Sequence, residues 1–411
     1  MEKKKRILIV TQYYYPENFR ITDLGTELVS RGYHVDALIG IPNYPDGKYY
    51  EGYGIFSKRK EIVNGVTVYR CFQFPRGRKA SNLRLALNYL SYMVCASLWI
   101  LFFFSLRKRY DAVIAFETSP ITQVVPACLY GIIRRTKVLS WIQDIWPDSI
   151  THRTSKKVRS LLTPPLNSIT EFVYRNSDRI LISSKGMKDL VCRNADYSDK
   201  IEYVPNWCDD LSIVNPSDNQ TPDIPNGFVI MMAGNMVKSL DPESLCKCVE
   251  LLKDLPEIHF AFVGGGSYKE QMEQMFIDKG LQNVHFYGRH PFERMPIFYA
   301  KADAMLLSLQ YQEAKHFDVT VPSRLQSYMS AGKPIYAMIG SGAREVIESS
   351  DCGFVVNAGD YKSLADIIRK TYRNKELLIK KGINARRAYE KDFTLKEGAD
   401  HFERLFACVF P

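Results

Sequence analysis

The stretch V-P-S-R-L-Q-S-Y-M-S-A-G-K-P-I-Y-A-M, Val321–Met338, decides the fold. It reads as a turn, a short helix, a glycine stop and a buried strand. Pro322 suits the first turn of a helix, where its missing N–H costs nothing. Leu325, Tyr328 and Met329 recur at helical spacing and make one apolar face. Gly332 ends the helix and Pro334 prevents its continuation. Ile335–Met338 then reads as an interior strand. The helix starts with Ser323 and Arg324. Its unpaired N–H groups and dipole make that end an anion site. The same residues also fit an ordinary αβ unit that binds nothing.

Working outward, 411 residues suffice for two domains, each with its own core. Hydrophobic content of 46% and charged content of 24% mark a globular chain. The start, MEKKKRILIVTQYYYP, reads as a basic lead into a strand and not as a secretory signal. Nine cysteines are scattered with no C-x-x-C, which reads as free thiols in a reducing cytosol. Residues 1–200 carry 31 Lys and Arg against 17 Asp and Glu; residues 201–411 carry 24 against 28. A basic first half attracts phosphates, in anionic lipid or in a diphosphate-linked substrate. Nucleic acid is not expected, because no zinc finger, RNP-like motif or basic recognition helix is present.

Arg6–Thr11 reads as a buried strand, Ile21–Arg31 as a helix and His34–Ile39 as a second strand, which together make a βαβ unit. No G-x-G-x-x-G follows the first strand, so the dinucleotide fingerprint is absent. Glu17, Asn18 and Arg20 occupy that turn instead. Ile41–Tyr53 (IPNYPDGKYYEGY) is a structured loop rich in Pro, Gly, Asn and Tyr. Leu85–Leu106 has no charge over 22 residues and is flanked by Arg84 and by Arg107-Lys108-Arg109. Its length would allow a membrane span. Its polar interruptions, Asn88, Ser91, Ser97 and Ser105, and the strand Asp111–Phe116 that follows favour a buried or half-buried helix whose exposed apolar residues dip into a bilayer surface, with the basic flanks and Arg76, Arg78 and Lys79 holding anionic lipid. A wholly internal helix is the alternative. Val138–Asp148 (VLSWIQDIWPD) is a strand running into Gln143, Asp144 and Asp148, at the strand end where α/β folds place ligands. Either aspartate could take a proton or cap the next helix.

Cys208–Pro225 reads as the linker. The second domain restarts at Phe228–Ala233, followed by Gly234, Asn235 and Lys238, a phosphate-like turn. Ile258–Val263 leads into Gly264-Gly265-Gly266, whose glycines allow close backbone approach. Asn283–Gly288 leads into Arg289.

The string P-S-R-L-x-x-Y-x-x-A-G-K-P, with G-F-V-V at Gly353–Val356, resembles the nucleotide-binding segment of family 4 glycosyltransferases. IPNYPDGKYYEGY and D-I-W-P-D make it similar to the bacterial polysaccharide branch that includes N-acetyl-fucosamine transferases. The resemblance implies an α/β chain of GT-B architecture, with two Rossmann-like domains facing a central cleft. It implies an acceptor domain over 1–207, a linker over 208–225 and a nucleotide-sugar domain over 226–390. A C-terminal helix over 391–411 would pack back on the first domain. The implied reaction is transfer from a nucleotide sugar, most simply UDP-linked, to a lipid-linked saccharide, with retention and without a metal or other cofactor. The D-x-D pattern of metal-dependent transferases is absent from the sequence.

By the same resemblance, Arg324, Lys238, Ser323, Gly234, Asn235, Gly264, Gly265 and Arg289 would meet the donor, as Arg20 and Asn18 would from the first loop. The family's two glutamates eight positions apart fall here on Val319 and Ser327. Asp318 or Glu313 stands near the first, and Ser327 could give the ribose one hydrogen bond. Gln143 replaces the family's histidine, and glutamine cannot shuttle a proton. A sugar-nucleotide 2-epimerase of the same fold, or a non-catalytic scaffold, remains compatible with the sequence.

Overall fold

The computed structural model describes residues 4–77, 81–107, 109–151, 154–212, 222–310 and 318–409. The chain divides into two compact units. The first runs to Asn206 and resumes at Gly398; the second is Trp207–Glu397.

The first unit carries strands β1 (Arg6–Val10), β2 (His34–Gly40), β3 (Lys60–Val63), β4 (Val66–Cys71), β5 (Ala112–Glu117), β6 (Lys137–Ile142), β7 (Arg179–Ile182) and β8 (Ile201–Tyr203). Their order is β3-β4-β2-β1-β5-β6-β7-β8. All pairings are parallel except the β3–β4 hairpin. Asn64 and Gly65 close that hairpin with φ of 48° and 82°, the two left-handed residues a type I′ turn requires. The central strands RILIV and AVIAFE are apolar runs without alternation, because a parallel sheet is covered on both faces. The strand order reverses between β1 and β5. Loops leaving their C-terminal ends diverge there, and α/β folds bind ligands at that point.

The first helix spans Arg20–Ser30, one residue ahead of the expected bounds, and buries Ile21, Leu24, Gly25 and Leu28. The apolar segment is helical from Asn82 to Arg107 and passes through a π turn at Ile100–Phe104. Ser81 caps it by accepting from Arg84 N–H. Its buried residues include Asn88, Tyr92, Ala96, Ile100 and Phe104, each four apart, with Ser105 beside the last. A four-residue step drifts by about 40° on an α-helix. The wider π turn underwinds the helix and returns the stripe toward the sheet. The other faces leave Leu83, Leu87, Leu90, Val94, Phe102 and Leu106 exposed. Asn88 does not dilute an apolar face: it is buried and takes a hydrogen bond from Gln12 Nε2 at 2.7 Å.

The last helix, Leu395–Val409, joins the first unit from Gly398. Phe402 packs on Trp141 and Phe406 on Tyr33, each with ring centroids 5.5 Å apart. Arg31 pairs with Asp400 and, at 2.7 Å, with Glu403.

The second unit is a six-stranded parallel sheet: β9 (Phe228–Ala233), β10 (Ile258–Val263), β11 (Val284–Gly288), β12 (Ala304–Ser308), β13 (Ile335–Met338) and β14 (Gly353–Val356). The order is β11-β10-β9-β12-β13-β14, so the reversal falls between β9 and β12. Each unit is therefore a Rossmann-like αβ layer structure.

The segment expected to open a linker is instead packed into this second unit. Cys208 and Leu211 lie in its core. Cys208 N–H donates to Phe393 O at 3.0 Å. The Arg386 guanidinium holds both oxygens of Asp210 at 2.7 Å, which keeps that carboxyl down at about 2. Apolar Cys208 and Leu211 within a polar stretch account for the difference. Residues 213–221 of the expected linker lie outside the described residues.

Candidate active site

In the second unit the site grows from the reversal point. The Ser323–Ser330 helix follows Pro322, which stands just ahead of it in extended conformation. Tyr328, wholly buried, fixes this helix to the end of β9. Its hydroxyl accepts from Ala233 N–H at 3.0 Å and donates to Ala233 O at 3.1 Å. That leaves Arg324, one turn earlier, over the loop that follows. Arg324 Nη2 donates to Asn235 O at 3.0 Å. Its Nη1 is buried without a partner among the described residues.

Gly234 lies beneath the Arg324 guanidinium with φ of 121°, and Gly264 takes φ of 140°. A methyl group on Gly264 would strike the Gly234 carbonyl, so the ends of β9 and β10 approach as only glycine permits. Gly264 N–H donates to Gly288 O at 2.7 Å, and Arg289 lies over Gly265. Arg324, Gly234, Asn235, Gly264, Gly265 and Arg289 thus form one contiguous patch. Exposed Lys238 opens a single 3-10 turn three residues beyond Asn235.

Ser323 is exposed at the helix start. Ser327 Oγ lies 3.4 Å from both Ser323 O and Cys208 Sγ. The Asp318 carboxylate packs over Gly340, at the start of the Ser341–Ser349 helix. Glu313 lies outside the described residues.

In the first unit, Gln143 and Asp144 follow the end of β6. Gln143 Oε1 accepts from Asn206 Nδ2 at 2.7 Å, and its Nε2 is buried without a partner among the described residues. Its amide is therefore oriented and retains a donor. Asp148 starts the helical turn Asp148–Thr151 and pairs with Arg193 at 2.5 Å. Asn18 is exposed, and Arg20 pairs with Asp23 on its own helix at 3.4 Å.

Two carboxylates beside these were not singled out from the sequence as site groups. Glu117, wholly buried at the end of β5, accepts from Ser119 N–H at 2.7 Å and Asp144 N–H at 3.3 Å. Burial first, and then the charge of Asp144, push its carboxyl well above the usual range. A carboxylate directly after the run AVIAF was the available signal. Glu17, also buried, accepts from Asn43 N–H at 2.8 Å and Tyr44 N–H at 2.7 Å. Burial pushes it up to about 7 against those hydrogen bonds.

The loops after β1, β2 and β4 meet around Arg76. Its backbone N–H donates to Asn43 Oδ1 at 3.1 Å. Its guanidinium carbon lies 5.3, 5.3 and 5.5 Å from the ring centres of Tyr13, Tyr44 and Tyr89. Two anion-compatible rims therefore exist, one at the C-terminal edge of each parallel sheet.

Comparison with known proteins matches both units to described families. The model for Glycosyltransferase Family 4 matches residues 19–210, and that for glycosyl transferases group 1 matches residues 216–388. WbjE of Pseudomonas aeruginosa, named as a probable glycosyltransferase, is 23% identical over 88% of each chain. WcaI of Escherichia coli K12, whose name assigns it to glycosyl transfer in colanic acid biosynthesis, is 24% identical over 80% of this chain and 81% of its own. Among solved structures, sucrose-phosphate synthase of Thermosynechococcus elongatus covers 99% of each chain with a TM-score of 0.70 at 14% identity. Anabaena HepE, solved with UDP-glucose, covers 98% of this chain and 99% of its own with a TM-score of 0.65 at 18% identity.

Proposed function

Given that this chain belongs to the family 4 glycosyltransferases and has the GT-B fold, we propose that it transfers an N-acetylamino sugar from a uridine diphosphate donor to a lipid-linked saccharide in cell-surface polysaccharide synthesis. The observation that carries this reading is Arg324, held over Gly234 and Asn235 at the reversal point of the second sheet. As the bond from the anomeric carbon to the diphosphate breaks, charge grows on the leaving oxygens. Arg324, Lys238 and the N–H groups at the start of the Ser323–Ser330 helix stabilise that charge, with no metal assigned to the task. The acceptor hydroxyl forms the new bond on the same face, with retention. Its proton passes to Asp144 or Asp148. Gln143 hydrogen-bonds the sugar and takes no proton. The HepE structures, titled with UDP and UDP-glucose, support a uridine donor. The name of WcaI supports a polysaccharide product.

The protein works at the inner face of the cell membrane as a peripheral enzyme. The Asn82–Arg107 helix is long and apolar enough to cross a bilayer. It is nonetheless bonded to its own sheet, since Tyr92 OH donates to Leu38 O at 3.2 Å. Its exposed face dips into the surface instead, with Arg84 and Arg107 meeting anionic head groups.

The test is mass spectrometry of membranes carrying lipid-linked saccharides, incubated with the protein and a panel of nucleotide sugars. One added N-acetylamino sugar on a lipid-linked product supports the reading. Donor isomerisation without acceptor would assign an epimerase. Absence of UDP binding in calorimetry would leave a scaffold.

A further inference from the structure

We propose that Arg76 is the contact for the phosphate that joins the acceptor's saccharide to its lipid. The inference rests on the lipid-linked acceptor just proposed and adds the place where its charged joint is held.

Arg76 occupies a boundary. The apolar helix begins six residues later, at Asn82, and leaves Leu83, Leu87 and Leu90 exposed. On its other side lie the loops that follow β1 and β2, tied together by Glu17 and Asn43. Lipid and sugar make opposite demands on a surface, and Arg76 stands where the surface changes.

The chemistry of the cage matches that place. Tyr13, Tyr44 and Tyr89 pack around the guanidinium and orient its plane. Hydrogen bonds then leave from its edges. Nη2 donates to Tyr89 OH at 2.8 Å, and this is the one side-chain hydrogen bond of Arg76 among the described residues. Nε is buried without a partner, as is the hydroxyl of Tyr13, whose side chain is 2% exposed. A planar cation with unspent donors, immobilised by rings, suits an oxyanion with several acceptor oxygens. Glu17, the nearby carboxylate, has its Oε1 engaged by the backbone N–H groups of Asn43 and Tyr44. Arg84, packed over Gly77, adds a second cation beside the cage.

The test is calorimetry on the whole protein with four probes: farnesyl diphosphate, inorganic diphosphate, phosphatidylglycerol vesicles and UDP. Arg76→Ala should weaken farnesyl diphosphate about ten- to hundredfold, as expected for charge-assisted hydrogen bonds. Arg76→Lys should recover little of it, because an ammonium lacks the fork. Tyr89→Phe, which keeps the ring and frees Nη2, should change affinity by a few-fold only. Vesicle and UDP binding should stay at wild-type levels in all three variants. Parallel losses for farnesyl and inorganic diphosphate would support the phosphate contact. Unchanged farnesyl diphosphate binding in Arg76→Ala would overturn the proposal, as would a loss confined to vesicles, which would make Arg76 a head-group residue. Absent UDP binding in the wild type would instead remove the glycosyl-transfer reading, leaving the farnesyl diphosphate arm to be judged alone.

Discussion

Arg324 Nη2 and the carbonyl of Asn235 meet at 3.0 Å, which joins the first turn of the Ser323–Ser330 helix to the loop leaving β9. This contact fixes one face of the guanidinium over Gly234 while Nη1 stays without a partner among the described residues. Arg324→Ala should therefore lower UDP affinity about ten- to hundredfold while leaving uridine affinity nearly unchanged. Calorimetry with both ligands checks it. Equal losses for the two would show that Arg324 does not meet phosphate.

Asp144 and Asp148 should respond differently. Asp144 sits against buried Glu117, to which its backbone N–H donates at 3.3 Å. Asp144→Asn should reduce turnover about a hundredfold or more and leave UDP affinity intact. Asp148 is paired with Arg193 while both side chains are about a third exposed. Asp148→Asn should thus lower stability by no more than about 1 kcal/mol, with a smaller loss of turnover. If both variants turn over like the wild type, the acceptor is activated elsewhere.

Glu17 gives a pH signature. Its carboxyl titrates at about 7 in the folded chain because burial disfavours the charge. An unfolded glutamate titrates near ~4.3. Between those values the folded state holds a proton that the unfolded state has released, so stability falls as pH rises. The loss should reach about 4 kcal/mol and level off above neutrality. Glu17→Gln should flatten this slope and leave the variant more stable than wild type at pH 8. Urea unfolding at pH 5 and pH 8 reads it out, and parallel wild-type and variant slopes would remove Glu17 as the source.

Membrane association should separate into two components in liposome flotation. High salt should release only part of the protein from anionic liposomes, because screening leaves apolar insertion in place. Charge reversal at Arg107 and Arg109 should mimic salt. Leu101→Ser with Phe102→Ser should remove the salt-resistant part, since Phe102 is 69% exposed whereas Phe104 is buried. A wild-type protein that floats with no liposomes at either salt would make this segment part of the core.

Local pattern sufficed where sequence neighbours decide the structure. The Gly332 stop and the strand Ile335–Met338 stand where the spacing places them, while Pro322 sits in extended conformation just ahead of the helix and not in its first turn. Asn64-Gly65 was an equally local hairpin signal. What could not be read is what the sheets assemble from distant positions. Glu117 and Asp144 are separated by 27 residues, and Gln12 meets Asn88 across 76. A glutamate after an apolar run is as consistent with a solvated strand end as with a buried one. In the sheet Glu117 lies beside Ile142 of β6 and is wholly buried. Ser327 is a further case: its hydroxyl lies 3.4 Å from Cys208 Sγ, a neighbour 119 residues away that no local pattern announces.

The buried amides have a consequence for orientation. A helix that is apolar on nearly every side gains almost the same burial whichever side faces inward, so hydrophobicity alone cannot choose its rotation. Asn88 breaks that degeneracy. It accepts from Gln12 and donates to Phe74 O, while Gln12 also donates to Gln73 at 2.8 Å. Turning the helix would strand those groups without partners at a cost no greasy contact offsets. Asn88→Leu should therefore leave a chain that still folds, yet whose helix samples several rotations. Broadened methyl resonances for Leu87 and Leu90 would report this, and sharp single resonances would show that packing alone selects the face. The polar residue that interrupts the greasiest stretch of the chain is what tells that stretch which way is in.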